Sequence, residues 1–223
     1  MTQSTQTARR ARYGLLLGVI LVAFVLQGVA SPQAWEEVLV TALLGVTFLL
    51  SLWTADAKQI IVRPSVLIVM LLILLSIVEA ANGHPASQAV RIANGLVVLL
   101  APPAIVVGVM RSLRDRQTVT VEAVLGVLCV YILLGMFFAF LYGSIDSPPG
   151  EPFFANGATA TAAHCLYYSF TTLTTVGYGD LSARSNLGHT LSVSEALLGQ
   201  IYLVTVVSVI VANLGRRRPA PPT

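Results

Sequence analysis

The chain has 223 residues, of which 56% are hydrophobic and 10% are charged, and its formal net charge is +3. A soluble domain of average composition is less apolar and carries more charge, so lipid is predicted to be the solvent of most of this chain. The basic residues stand in short runs at the ends of hydrophobic segments. This distribution reports membrane orientation and does not indicate nucleic acid as a partner.

Six hydrophobic runs predict six membrane-spanning helices, since a helix that rises about 1.5 Å per residue needs roughly 20 residues to cross the hydrocarbon core. The runs lie at 13–30, 38–53, 64–81, 92–110, 119–142 and 190–214. The first run could imitate a signal peptide, but it lacks a convincing small-residue cleavage site and is predicted to be retained.

The distribution of basic residues predicts the orientation of these helices. The chain has 13 Lys and Arg residues, and with a cytoplasmic N-terminus only Arg91 and Arg184 fall on the outer side. All the others then obey the positive-inside rule. Both termini are therefore predicted to be cytoplasmic, and the polar segment 143–189 is predicted to dip in from the outer face without crossing.

One basic residue, Arg91, stands directly before the fourth run, at its outer edge. At three-residue spacing beyond it stand only uncharged residues, namely Asn94, Val97, Leu100 and Pro103. Steep voltage sensing uses about 3 to 4 charges in each of four subunits, so this helix is predicted to sense voltage weakly or not at all. Arg91 is expected to pair with Glu79 or to snorkel towards headgroups. Pro102 and Pro103 are expected to break or kink the helix.

The segment 143–189 contains a helix-like run at about 161–173, followed by the sequence TVGYGD at Thr175–Asp180. Successive backbone carbonyls can face one axis only if the backbone alternates between right- and left-handed conformations. Gly177 and Gly179 stand at alternate positions, and glycine adopts the left-handed conformation without steric cost. Such carbonyls can replace the water around a potassium ion. K+ is therefore expected at Thr175, Val176, Gly177 and Tyr178, with Gly179 completing the filter.

With TTVGYGD at Thr174–Asp180, the segment 119–214 resembles the potassium-channel family. The resemblance implies an all-α membrane protein with six transmembrane helices, and a re-entrant pore helix and selectivity filter between helices 5 and 6. It also implies a homotetramer, because one filter strand cannot surround an ion. Three identical subunits are therefore the expected partners, together with membrane lipid.

The resemblance also implies roles for residues that support the filter. Asp180 would lie at the outer mouth, and Tyr167 would hydrogen-bond this aspartate from the pore helix. Thr171 stands where some relatives have a glutamate, so inactivation that relies on a carboxylate pair is not expected. Thr171 and Thr174 are counted with Asp180 and Tyr167 as support of the filter.

Two residues of the last helix are candidates for gating. Gly199 stands where related channels have a glycine at which the inner helix bends, although it could equally be a small residue that eases helix packing. Glu195 is an ionisable residue inside a membrane helix and therefore needs a partner. Its expected partners are hydroxyls of the pore helix, such as those of Thr171 or Thr172, or the back of the filter, and a structural hydrogen bond is the favoured role.

The predicted domain organisation has four parts. Residues 1–12 form a cytoplasmic N-terminus, 13–118 a four-helix transmembrane domain with a degenerate voltage-sensor-like topology, 119–214 the pore domain and 215–223 a short cytoplasmic tail. The predicted function is passive conduction of K+ across the inner membrane of a bacterium, weakly or not gated by voltage. K+ is the permeant ion and no cofactor is expected.

Two other functions compete with this prediction. One is a non-selective cation channel, and the other is a non-conducting regulatory or assembly subunit whose first four helices bind a partner. A separate regulatory subunit is left open. An enzyme is disfavoured, because no nucleophile, base and oxyanion donors, and no metal ligands, stand together at workable spacing.

Overall fold

The structure is a computed structural model that describes residues 3–29, 34–55, 57–82, 88–116, 121–145 and 152–214. The described part of the chain is all-helical, as predicted, apart from one isolated β-bridge. Its helices are α1 (Gln3–Val29), α2 (Ala34–Thr54), α3 (Gln59–Ala81), α4 (Gln88–Arg116), α5 (Val121–Ser144), α6 (Ala162–Leu173) and α7 (Asn186–Leu214).

Within the described residues, five helices are long and apolar enough to cross a membrane. These segments are Ala11–Val29, Trp35–Thr54, Gln59–Ala81, Val90–Val107 and Ala123–Ser144. They correspond to the first five predicted runs and support a multi-pass membrane protein. The sixth run, 190–214, lies inside α7, and its role as a span stays a prediction. All these helices except α5 begin before their runs, because hydropathy marks the apolar part of a helix and not its ends.

Pro102 and Pro103 were expected to break or kink the fourth helix; they do not break it, and a kink stays a prediction. Both prolines lie inside α4, which is assigned as one helix from Gln88 to Arg116. Each proline removes only one backbone N–H, and membrane helices tolerate this loss when neighbouring helices hold the chain. Here α4 packs extensively along α5, which supplies such support.

The first four helices and the last three pack together in one chain. The helix α2 contacts α1, α3 and α4, while α1 also contacts α5 and α6. Leu16, Ile20 and Ala23 of α1 join Leu133 and Met136 of α5 in the buried core. The predicted domain boundary between residues 118 and 119 lies outside the described residues, and the division into these domains stays a prediction.

An aromatic contact joins α1 to α6. The rings of Phe24 and Phe170 meet edge-on with their centroids 4.8 Å apart. On the other side of Phe170, α5 has Gly135, where an added Cβ would lie 2.6 Å from the phenyl ring. Phe170 is therefore held between α1 and α5 at a position that only a glycine on α5 permits.

The N-terminal end of α4 is attached to neighbouring helices by polar contacts. The guanidinium of Arg91 donates to the carbonyl of Gly143, at the end of α5, over 3.3 Å. One turn further, Asn94 is buried and donates to the hydroxyl of Thr41 on α2 at 2.9 Å. Asn94 stands where a voltage sensor would have its second arginine, and in this chain the residue packs against α2. The expected pairing of Arg91 with Glu79 stays a prediction.

Candidate functional site

The short helix predicted at 161–173 is present as α6. Its N-terminus is capped by Thr161, whose hydroxyl accepts a hydrogen bond from the backbone N–H of His164. Cys165, Leu166 and Leu173 are buried on the side that packs against the other helices. The carbonyls at the C-terminal end of α6 carry partial negative charge, so this end of the helix favours a nearby cation.

Beyond α6 the backbone alternates in handedness. The φ angles are positive at every second residue, with 59° at Thr175, 50° at Gly177 and 81° at Gly179. The left-handed conformations predicted for the two glycines are confirmed. The sequence does not predict the third, because a β-branched residue such as threonine adopts a positive φ only when its surroundings impose it.

Hydrogen bonds from the end of α6 hold this conformation. The backbone N–H of Thr175 donates to the carbonyl of Thr172 at 2.9 Å, and that of Gly177 donates to the carbonyl of Thr171 at 3.1 Å. The hydroxyl of Thr174 donates to the carbonyl of Phe170 at 2.6 Å. The segment Thr175–Gly179, called the strand below, is thereby bonded to the last turn of α6. The carbonyl of Phe170, whose ring contacts α1, accepts one of these hydrogen bonds from the neighbouring Thr174.

Gln200 on α7 also contacts the strand, and the sequence predicts no role for it. Its amide nitrogen donates to the hydroxyl oxygen of Thr175 at 3.1 Å. That hydroxyl in turn donates to the carbonyl of Thr174 at 2.7 Å. The only available signal in the sequence is that Gln200 is a polar residue inside an apolar helix, and such residues usually have a specific partner.

The end of the strand at Asp180 is held by two side chains, those of Tyr167 and Asn156. The phenol of Tyr167 donates to a carboxylate oxygen of Asp180 at 3.1 Å, so the hydrogen bond implied by the family resemblance is present. The ring of Tyr167 stacks on that of Tyr178, at 6.3 Å between centroids and 7° between planes. Asn156 donates from its side-chain amide to the backbone carbonyl of Asp180 at 2.9 Å, a contact that the sequence does not predict.

Glu195 is fully buried, and one of its two partners is of the predicted kind. One carboxyl oxygen accepts from the phenol of Tyr142 on α5 at 2.7 Å, and the other contacts the hydroxyl of Ser169 on α6. The expected kind of partner, a hydroxyl of α6, is present in Ser169, whereas Thr171 and Thr172, which were named as examples, are not the residues that Glu195 contacts. A pore-helix hydroxyl was the right chemistry, but the register between α6 and α7 decides which hydroxyl is reached, and the hydroxyl of Thr171 donates to the carbonyl of Tyr168 instead.

Gly199 on α7 lies against Leu173 at the C-terminal end of α6. A Cβ added to it would lie 2.5 Å from the carbonyl oxygen of Leu173 and 2.8 Å from a methyl carbon of the same residue. The helix α7 continues through this position. This geometry supports the packing role of Gly199, while its role as a hinge stays a prediction.

Comparison with known proteins agrees with this arrangement. The family model described as "Ion channel" matches residues 126–216, a range that begins in α5 and includes α6, the alternating strand and α7. The match supports an ion channel family, which is not a class of enzymes. No match was found among curated proteins or among solved structures.

Proposed function

We propose that this chain is one subunit of a homotetrameric, potassium-selective channel in the inner membrane of a bacterium, with both termini in the cytoplasm. The observation that supports this most directly is the positive φ at Thr175, Gly177 and Gly179. An alternating backbone turns successive carbonyls towards one side, and a row of such oxygens can replace the hydration shell of a potassium ion.

The surface beside the strand is apolar and uncovered in a single chain, which supports assembly. Tyr178 is 72% exposed and Val176 is 52% exposed, although both are large and apolar over most of their surface. The same holds for a face of α7 that includes Leu197, Ile201 and Val204. Three further copies around a common axis would complete the ring of oxygens and cover part of this surface.

The N-terminal helices are proposed to support the pore and not to drive it by voltage. The outer end of α4 has only Arg91 as a charge in the sensor register, and this residue is bonded to Gly143. In the proposed channel K+ is the permeant ion, and the filter residues are Thr175, Val176, Gly177, Tyr178 and Gly179, supported by Thr171, Thr174, Tyr167 and Asp180.

Reconstitution of the purified protein in liposomes tests the proposal. We expect flux of K+ and Rb+ but not of Na+, and a particle mass of four chains. Gly177→Ala should abolish selective flux, because alanine resists the left-handed backbone. Gly18→Ala on α1 is the matched control, since an added Cβ there meets nothing within 4 Å. Equal Na+ flux would indicate a non-selective channel, and no flux from an assembled tetramer would indicate a non-conducting subunit.

A further inference from the structure

The segment before α6 forms a tight turn close to the outer end of the strand. The backbone N–H of Gly157 donates to the carbonyl of Phe154 at 3.0 Å, which closes a four-residue turn. Gly157 has a φ of 81°, a conformation that glycine adopts without strain. The turn therefore gives Asn156, its third residue, a defined position.

A short antiparallel pairing fixes this turn to the chain beyond the filter. Phe154 and Ala183 form the β-bridge, and the backbone N–H of Ala155 donates to the carbonyl of Ser182 at 2.9 Å. The N–H of Arg184 donates to the carbonyl of Phe153 over the same distance of 2.9 Å. Since Phe153, Phe154 and Ala183 are buried, the pairing is anchored in the core.

The side-chain amide of Asn156 joins this turn to Asp180. Its nitrogen donates to the backbone carbonyl of Asp180 at 2.9 Å, and its oxygen accepts from the backbone N–H of Ala158 at 3.0 Å. A carbonyl can only accept and an N–H can only donate, so the two partners together determine the orientation of the amide. Reversing it would face oxygen with oxygen and nitrogen with nitrogen.

The carbonyl of Asp180 lies one peptide group beyond that of Gly179, the last residue of the filter, and the two peptide groups share the Cα of Asp180. Holding the Asp180 carbonyl therefore restricts the rotations open to the Gly179 carbonyl. Carbonyl oxygens that point at a common axis repel one another when no cation lies between them. Rotation of the peptide groups then becomes more favourable as external potassium falls. A donor bound to the carbonyl of Asp180 opposes such a rotation, because rotation would break the hydrogen bond.

We propose that Asn156 is a positioning residue for the outer end of the filter. By holding the carbonyl of Asp180, it keeps the filter in the conducting conformation when external potassium is scarce. The inference rests on the proposed function of this strand. The proposed residue lies outside the TVGYGD sequence, in a loop that contains none of the motifs on which the family resemblance rests.

Two substitutions separate this hydrogen bond from the stability of the turn. Asn156→Asp keeps the oxygen that accepts from Ala158 but removes the donor to Asp180, whereas Asn156→Ala removes both contacts. Ser182→Ala is the matched control, because it shortens an exposed side chain in the same paired segment and leaves the backbone carbonyl of Ser182 in place.

The measurement is the decay of potassium current from reconstituted channels after external K+ is lowered. We expect the decay to be about two- to tenfold faster in both Asn156 variants, the range that corresponds to one lost hydrogen bond, and unchanged in Ser182→Ala. High external K+ should restore the current of the variants. An added impermeant salt screens the new carboxylate in Asn156→Asp, so that its charge does not imitate or hide the effect.

Several results would overturn the inference. Wild-type decay in Asn156→Asp would show that the contact with Asp180 has no influence, even if Asn156→Ala decays faster through a loosened turn. If an Asn156 variant assembles but gives no current, the second measurement is the potassium concentration needed to protect it from thermal unfolding, compared with that for the unmodified protein. We expect that concentration to rise, and an unchanged value overturns the inference. The absence of potassium current in the unmodified protein would instead refute the proposed function.

Discussion

The side-chain amide of Gln200 lies 3.1 Å from the hydroxyl oxygen of Thr175 and joins the middle of α7 to the inner end of the proposed filter. The threonine hydroxyl gives its own hydrogen to the carbonyl of Thr174. Gln200 therefore supplies the second hydrogen bond that orients this oxygen, and it does so for a residue whose φ of 59° is unfavourable for threonine.

Replacing Gln200 should disturb conduction more than assembly. We expect Gln200→Leu to reduce the single-channel potassium conductance by about fivefold, because the loss of one hydrogen bond is worth about 1 kcal/mol and releases the hydroxyl of Thr175. Ser194→Ala is the control, since the hydroxyl of Ser194 bonds only within its own helix, to the carbonyl of Thr190 at 2.8 Å. Wild-type conductance in Gln200→Leu would contradict the assigned role.

Glu195 should tolerate an amide but not an apolar side chain. Ser169 has one hydroxyl hydrogen, yet its oxygen lies within hydrogen-bonding distance of both Glu195 and the carbonyl of Gly135. To make both hydrogen bonds, a second hydrogen must lie between Ser169 and residue 195, and the amide of Glu195→Gln can donate it. We expect Glu195→Gln to keep the thermal stability of the purified protein and Glu195→Leu to lose about 1–3 kcal/mol, because the phenol of Tyr142 and the hydroxyl of Ser169 lose the carboxyl group that they contact.

A double variant distinguishes this hydrogen-bond effect from a simple packing defect. Tyr142→Phe together with Glu195→Leu removes both polar groups, so part of the stability lost in Glu195→Leu should return. If the double variant instead loses more unfolding free energy than the two single variants together, the phenol left without the carboxyl group is not the cause of the loss.

Gly199→Ala tests packing against bending. The added methyl group would lie 2.5 Å from the carbonyl oxygen of Leu173, so α6 and α7 must separate. Overpacking of this kind typically costs about 1–3 kcal/mol, and we expect a lower unfolding temperature and a lower yield of assembled protein. Gly14→Ala is the control, since a Cβ there meets nothing within 4 Å. A fully stable Gly199→Ala protein with altered open probability would favour the hinge.

Phe24 should influence the filter although it lies in the first helix. Its ring contacts that of Phe170, whose backbone carbonyl accepts hydrogen bonds from Thr174. We expect Phe24→Ala to destabilise the protein by about 2 kcal/mol and to increase Na+ permeation, as the end of α6 loosens. Val25→Ala, on the exposed side of the same helix, should change neither property. Unchanged selectivity in a destabilised Phe24→Ala protein would limit α1 to structural support.

Conductance should depend weakly on voltage. One charge that crosses the whole field contributes about 2.3 kcal/mol per 100 mV, and Arg91 is held to the carbonyl of Gly143 at the outer end of α5. We expect a shallow conductance–voltage relation that Arg91→Gln leaves nearly unchanged. Arg184→Gln, the other substitution on the predicted outer side, provides the comparison. A steep relation that flattens in Arg91→Gln would show that α4 senses voltage.

Local sequence was sufficient for the features that depend on composition and on single-residue conformational preferences. Five apolar helices follow from runs of hydrophobic residues, and α6 from a short helix-like run before TVGYGD. The left-handed backbone at Gly177 and Gly179 follows from the absence of a Cβ. The contact between Tyr167 on α6 and Asp180, which directly follows the strand, joins residues that are close in the sequence, and the family resemblance implied it.

Contacts between distant segments were decided by tertiary structure alone. On α6, the partner of Glu195 is Ser169 and not Thr171, because the rotation and axial offset of α7 against α6 select one hydroxyl among several. The link from Phe24 to Phe170, and those from Gln200 and Asn156 to the filter strand, join residues far apart in the chain. Hydrophobic patterns specify which face of a helix is buried but not the register in which two buried faces meet.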